Sequence, residues 1–116
     1  MGRIGVDLRE EKVGAVTVVE VAGRVDSTTA PALGARLSAS LEAPEVRIVL
    51  DLGRLEYISS AGFRILLLAA KRAEETGSRL VLCGVAGKVR QLFDLGGFLD
   101  LFTIVGARDE GIAAAQ

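Results

Sequence analysis

The sequence predicts an α/β fold: one domain over residues 1–116, a mostly parallel central sheet of about five strands, and helices packed mainly on one face. Three observations predict it. Short runs of β-branched and aliphatic residues alternate with segments of helical period, the pattern of parallel strands joined by right-handed crossovers. The first two runs follow one another with only a short break at Val13-Gly14, as an antiparallel hairpin would. The chain is half apolar and a quarter charged, which suits one buried core and argues against disorder.

The elements run in the order ββαβαβαβα. Ile4 to Lys12 and Ala15 to Ala22 form the hairpin, the second (AVTVVEVA) being rich in β-branched residues. Gly23-Arg24-Val25-Asp26 leads out of it. Asp26, Ser27 and Thr28 are N-cap candidates for a helix with Pro31 in its first turn and Leu33, Leu37 and Leu41 at four-residue steps. That helix stops before Pro44. Val46 to Leu52 is nearly continuously hydrophobic, as a strand covered on both faces would be.

A second helix begins within LEYISSAGF and runs to about Thr76, where Gly77 supplies a stop. Its sheet-facing side is expected to be Phe63, Leu66, Leu67, Ala70 and Ala73, with Arg64, Leu68, Lys71 and Glu75 opposite. Arg79 to Cys83 reads as a buried strand and Lys88 to Leu95 as a short helix with Val89, Leu92 and Phe93 on one face. Gly96-Gly97 ends that helix. Leu101 to Val105 is the last strand and Arg108 to Ala115 a terminal helix.

Composition removes several classes of function. Formal net charge is −1 with no basic block, so no phosphate-backbone surface and no direct nucleic-acid partner is expected. The longest apolar run, Ile65 to Ala70, is too short to cross a bilayer, and the charged N-terminal MGRIGVDLREEK is unlike a signal peptide. No membrane insertion and a cytoplasmic location are expected. There is no histidine, and Cys83 is the only cysteine. That excludes an intramolecular disulfide, the usual zinc ligand sets and the common nucleophile–histidine pairs.

No metal, cofactor or small-molecule ligand is expected, and no enzymatic activity. Cys83 reads as a small buried hydrophobe. Gly84 and Gly87 lack a following Lys-[Ser/Thr] and read as a strand-to-helix turn, not a phosphate loop. The pairs Glu10-Glu11 and Glu74-Glu75 read as solvated faces. Arg24 and Arg54 flank the face that carries the serines, where surface solubility competes with a role in meeting an acidic partner.

The chemistry concentrates at Ser59 and Ser60, back to back between strand-like residues and an apolar helix. One serine suffices as an N-cap, worth ~1 kcal/mol. The second is then free. No base is near it in sequence, and neither G-x-S-x-G nor Ser-x-x-Lys is present, so nucleophilic catalysis has little to build on. The other use of the hydroxyl is to accept a phosphoryl group. A phosphate there, carrying a charge of about −1.5 to −2, is tolerated by a helix N-terminus but costly inside an apolar interface. Leu68, two turns on and bordered by Ile65, is either a solitary exposed leucine or part of such an interface.

The order of elements, GRVD before a helix, the stretch LDLGRLEYISSAGFRILLLAAKRAEETGSRLVLCG and the closing VRQLFDLGGFLDLFTIV resemble the STAS domain of bacterial anti-sigma factor antagonists. The likeness runs from about Val16 to Ala113. Its most specific part is Ser59-Ser60-Ala61-Gly62-Phe63, which resembles the family's Asp-Ser-[Ser/Thr/Ala]-Gly-Leu phosphorylation motif. The resemblance implies partner switching. Unphosphorylated, the antagonist binds a serine kinase that is also the anti-sigma factor, and a sigma factor is released. Phosphorylation turns binding off, and a serine phosphatase resets it.

Carried over by position, Ser60 is the implied phosphorylation site. Ala61 replaces a second hydroxyl, Gly62 keeps the backbone close-packed beneath the site, and Asp26 falls on an acidic position flanking the serine. Arg24, Ser27, Arg64, Ile65 and Leu68 complete the expected partner-contact set. Ser59 stands where the best-known members carry aspartate, which leaves it as the alternative acceptor. It also keeps open a second role, since solo STAS proteins also serve as accessory subunits of lipid-transporting ABC permeases, where phosphorylation is unnecessary.

Overall fold

The structure is a computed structural model and describes residues 5–116. Its elements are β1 (Val6–Val13), β2 (Val16–Val25), α1 (Ala30–Ser40), β3 (Arg47–Ile58), α2 (Ser60–Glu75), β4 (Arg79–Cys83), α3 (Gly87–Leu95), β5 (Thr103–Val105) and α4 (Arg108–Ala115). They form one five-stranded sheet in the order β1-β2-β3-β4-β5, with β1 antiparallel to β2 and every other pair parallel. The predicted class and element order hold.

The sequential strand order decides where the helices go. Each right-handed crossover moves one strand in the same direction, so α1, α2 and α3 must lie on the same face of the sheet. Their buried residues, among them Leu33, Leu37, Phe63, Leu66 and Phe93, pack on Val19, Val21, Ile48, Leu50 and Leu82 in the main core. The other face would be bare without α4. Ala115 closes it over Val16, Val18, Val49, Val81 and Cys83, with Ile112 alongside.

Several boundaries differ from expectation for physical reasons. The first strand is Val6–Val13, and Ile4 lies outside the described residues. Gly23 does not end β2, because the parallel ladder to β3 tolerates irregularities at Glu20/Ala22 and Gly23/Arg24 and resumes at Arg24 opposite Tyr57. For the same reason β3 runs on past Leu52 to Ile58, twelve residues in all. Leu101 belongs to a 3-10 turn, Leu99–Leu101, and not to β5.

The wheel of α2 is rotated slightly from prediction. Gly62, Phe63, Leu66, Ala69 and Ala73 are buried, while Leu67 and Ala70 are only half-buried. The helix therefore leans towards α1, which buries Ala69 in place of Ala70. On α3, Val89 and Phe93 are buried and Leu92 partly so. Phe98 stacks on Phe63 at 4.2 Å between centroids and Phe93 meets the same ring edge-on at 4.8 Å. These pairs tie the segment after α3 to α2, each worth about 0.5–1.5 kcal/mol beyond its buried area.

A candidate phosphorylation and docking site at the start of the second helix

The two serines differ in what they contact. Ser59 is the N-cap of α2, with extended backbone (φ −92°, ψ 175°), and its Oγ accepts from the Gly62 N–H at 3.4 Å. Its own N–H donates to the Val25 carbonyl at 2.8 Å, continuing the β2–β3 ladder by one residue. The capping hydroxyl is thereby fixed by the sheet. Ser60 is the first residue of α2, exposed, and its hydroxyl makes no hydrogen bond to any described residue.

Gly62 is needed by a close approach. A Cβ there would come within 2.6 Å of Ile58 Cγ1 and 2.7 Å of Val25 Cγ1, both on stiff β-branched side chains. Only a glycine lets the first turn of α2 sit directly over the ends of β2 and β3. Ala61, half-buried, packs against the main core.

Asp26 organises the neighbouring turn. None of Asp26, Ser27 or Thr28 is the N-cap of α1. That position is Thr29, whose own hydroxyl makes no capping bond. Asp26 Oδ1 instead accepts from the N–H groups of Thr28 (3.0 Å) and Thr29 (3.1 Å), and the Thr29 hydroxyl donates to the Arg24 carbonyl at 2.7 Å. The Thr29 N–H bond, helped by that from Thr28 and by the charge of Arg24, holds the Asp26 carboxyl below its ordinary value despite some desolvation. Its other oxygen makes no hydrogen bond to a described residue, and Ser27 is exposed beside it. Val25 pairs with Ile58, so the Asp26 turn and the serine pair leave the sheet at the same end.

The expected contact residues do not all lie together. Ile65 is half-buried against Gly34 of α1, and Leu68 is 55 % exposed. Between α1 and α2 runs a groove of about 570 Å³, walled by Gly34, Ala35 and Ser38 on one side and Ile65, Leu68 and Ala69 on the other, with Arg72 at its rim. Arg64 is exposed one turn after Ser60. Val25 and Ile58 point into the core, so strand alternation turns Arg24 and Tyr57 to the opposite face, where Arg24 lies 4.5 Å from the Tyr57 ring centroid. Arg54 does not flank the serines either; it reaches Glu20 at 3.9 Å, beside Arg108 at the start of α4. The groove itself went unread in the sequence. Its available signal was Gly34, a glycine inside a helix that costs about 1 kcal/mol relative to alanine and asks for a reason.

Residues 8–105 match the family model described as "Mlab, STAS domain". The chain belongs to the STAS domain family. Members of this group act as non-enzymatic regulatory and binding domains. BtrV of Bordetella bronchiseptica, a candidate anti-sigma factor antagonist, is 41% identical over 107 residues, 92% of this chain and 92% of that one. Among solved structures, an anti-sigma factor antagonist from Mycobacterium paratuberculosis superposes with a TM-score of 0.81 at 29% identity, covering 99% of this STAS chain and 98% of the other. Phosphorylated SpoIIAA of Bacillus shares the fold at a TM-score of 0.73 and 20% identity, over 95% and 100% of the two chains. No helix among the described residues is long and apolar enough to cross a membrane, and no cluster of metal-binding side chains occurs among them.

Proposed function

We propose that this STAS protein is a cytoplasmic anti-sigma factor antagonist working by partner switching. Unphosphorylated, it binds an anti-sigma factor that is also a serine kinase and so frees a sigma factor. Phosphorylation of Ser60 ends that binding, and a serine phosphatase restores it. The observation that carries the reading is the division of labour at the motif: Ser59 caps α2, leaving Ser60 exposed, unbonded to the described residues and one turn from Arg64. The names of BtrV and the M. paratuberculosis relative support it.

A phosphate on Ser60 needs no unfolding, because a helix N-terminus accommodates an anion. Its effect is on the surface: a dianion at the start of the helix whose outer side carries Leu68 two turns on must be desolvated if a partner is to cover both. The Asp26 turn leaves the sheet at the same end as the serines, Ala61 and Gly62 seat the helix turn that carries the hydroxyl, and Ser27 extends the surface there, with Arg24 at the same end on the opposite face. Ser59 is the weaker acceptor, since its oxygen is engaged with Gly62.

Phosphate incorporation by the anti-sigma factor kinase that the protein captures tests the reading. Ser60→Ala should abolish incorporation and Ser59→Ala should retain it; undiminished labelling of Ser60→Ala sinks the assignment. Affinity capture with wild type and Ser60→Asp tests the partner. A kinase held by wild type and lost with aspartate supports the switch, whereas equal capture of permease and ATPase subunits by both forms would make the protein a transporter accessory subunit.

A further inference from the structure

The cations of this chain differ sharply in what they are doing. Arg36 reaches Glu10 at 3.8 Å, Arg54 reaches Glu20 at 3.9 Å, and Arg108 is held by Glu11, Glu20 and Asp51. Arg64, Lys71 and Arg72 are exposed and make no ion pair with any described residue. All three stand on the outer side of α2, because steps of four, seven and eight residues return to the same side of a helix. Leu68, 55 % exposed, stands among them, and Arg72 borders the apolar groove between α1 and α2. Glu42, near the end of α1, is the carboxylate of the groove lining.

We infer that this groove docks an acidic amphipathic helix of the partner protein. Its apolar residues lie between the small residues of α1 and the Ile65–Leu68 wall, and its carboxylates meet Arg64, Lys71 and Arg72. Charge complementarity selects the acidic partner: Arg64, Lys71 and Arg72 outnumber Glu75 at the end of the same ridge and Glu42 in the groove, and this excess attracts a negative segment and disfavours a basic one. The walls select a helix. Both are helices with their backbone groups bonded internally, so the groove offers no ladder for strand addition, whereas Gly34, Ala35 and Ser38 leave room for a rounded, close-packing segment.

The inference deepens the proposed switch and rests on it only for the identity of the partner. Ser60 lies one turn before Arg64 on the same side of α2, so phosphate there places a dianion at the end of the cationic ridge. It engages Arg64 and repels the partner's carboxylates, which gives phosphorylation the sign of an off-switch.

The test uses the full chain, isotope-labelled, titrated with a synthetic helical peptide carrying leucines on one face and glutamates along both edges. A counterpart peptide carries lysines in place of the glutamates. The glutamate peptide should shift the amide signals of Gly34, Ala35, Ser38, Ile65 and Leu68, and bind more tightly than the lysine peptide. The double change Lys71→Glu, Arg72→Glu should weaken the glutamate peptide about tenfold and favour the lysine peptide. Both positions are exposed, and the dispersion of the same spectra reports whether the variant folds. Shifts mapping elsewhere, equal binding of the two peptides or no binding of the glutamate peptide would overturn the inference. None of these readouts needs phosphate, so failure of Ser60 phosphorylation would be seen separately.

Discussion

At the scale of single residues, Gly62 is the position on which the site's geometry turns. In a helix, alanine is favoured over glycine by up to about 1 kcal/mol, so Gly62→Ala would ordinarily stabilise. Here the added methyl meets Ile58 Cγ1 and Val25 Cγ1 at 2.6 and 2.7 Å, both on β-branched side chains that are stiff at χ1. Overpacking of this kind costs ~1–3 kcal/mol, so the clash should win. Chemical denaturation should show Gly62→Ala less stable than wild type; an unchanged or raised midpoint would mean that α2 can lift off the strand ends. Asp26 gives a second prediction. Its ionised form is favoured by the Thr29 and Thr28 N–H groups, so its contribution is present above the ordinary aspartate value of 3.8 and is lost as pH falls through the lower folded value. The Thr28 and Thr29 amide signals should titrate with a midpoint below 3.8. A midpoint at or above it would remove Asp26 from its capping role.

At the scale of elements, α4 is held differently from the other three helices. It contributes small apolar residues, and Gly111 allows it to lie against Val49, whose Cγ1 is 3.0 Å from where a Cβ would be. Polar attachments do the rest. Arg108 Nε donates to Asp51 Oδ2 at 2.8 Å and its other arm to Glu20 Oε2 at 2.9 Å, while Arg47 donates to the Ala115 carbonyl at 3.0 Å and Arg79 to that of Gln116. Glu20 and Asp51 are register partners on β2 and β3, so removing Arg108 leaves two carboxylates side by side. Arg108→Ala should cost about 1–2 kcal/mol, discounted for partial exposure, and loosen α4 in preference to the whole fold. Cys83 reports this directly. It is buried beneath α4, and burial together with the Asp51 charge pushes its thiol up to about 11, so it should resist thiol reagents at neutral pH. Arg108→Ala should speed its modification, as should added salt; equal rates in both proteins would show that the ion pairs do not hold α4 down.

At the scale of the molecule, the strand order explains both what the fold can do and what its sequence disclosed. Strands that follow one another without reversal create no switch point, so the sheet lacks the crevice in which open α/β folds seat ligands, which agrees with the proposal that the working surface is a helix face. Alternating runs such as VRIVLDL and RLVLC made the class and the order of elements legible, and the serine doublet marked the junction. What stayed hidden depends on tertiary neighbours: β3 runs to Ile58 because β2 continues beside it, and α2 buries Ala69 because α1 lies against it. Arg24 was grouped with Ile65 and Leu68, yet strand alternation sends it to the far face, which a one-dimensional reading of "near the motif" does not register. This architecture also predicts how the proposed switch relates to global stability. Ser60 is exposed and is not a core residue, and an anion at the first residue of α2 interacts favourably with the helix dipole by about 0.3–1 kcal/mol. Ser60→Asp should therefore leave the thermal midpoint equal to or slightly above that of Ser60→Ala, while abolishing partner binding. A marked fall in the midpoint would mean that charge at Ser60 acts by unpacking α2 from the ends of β2 and β3, and the switch would be one of local unfolding instead of surface chemistry.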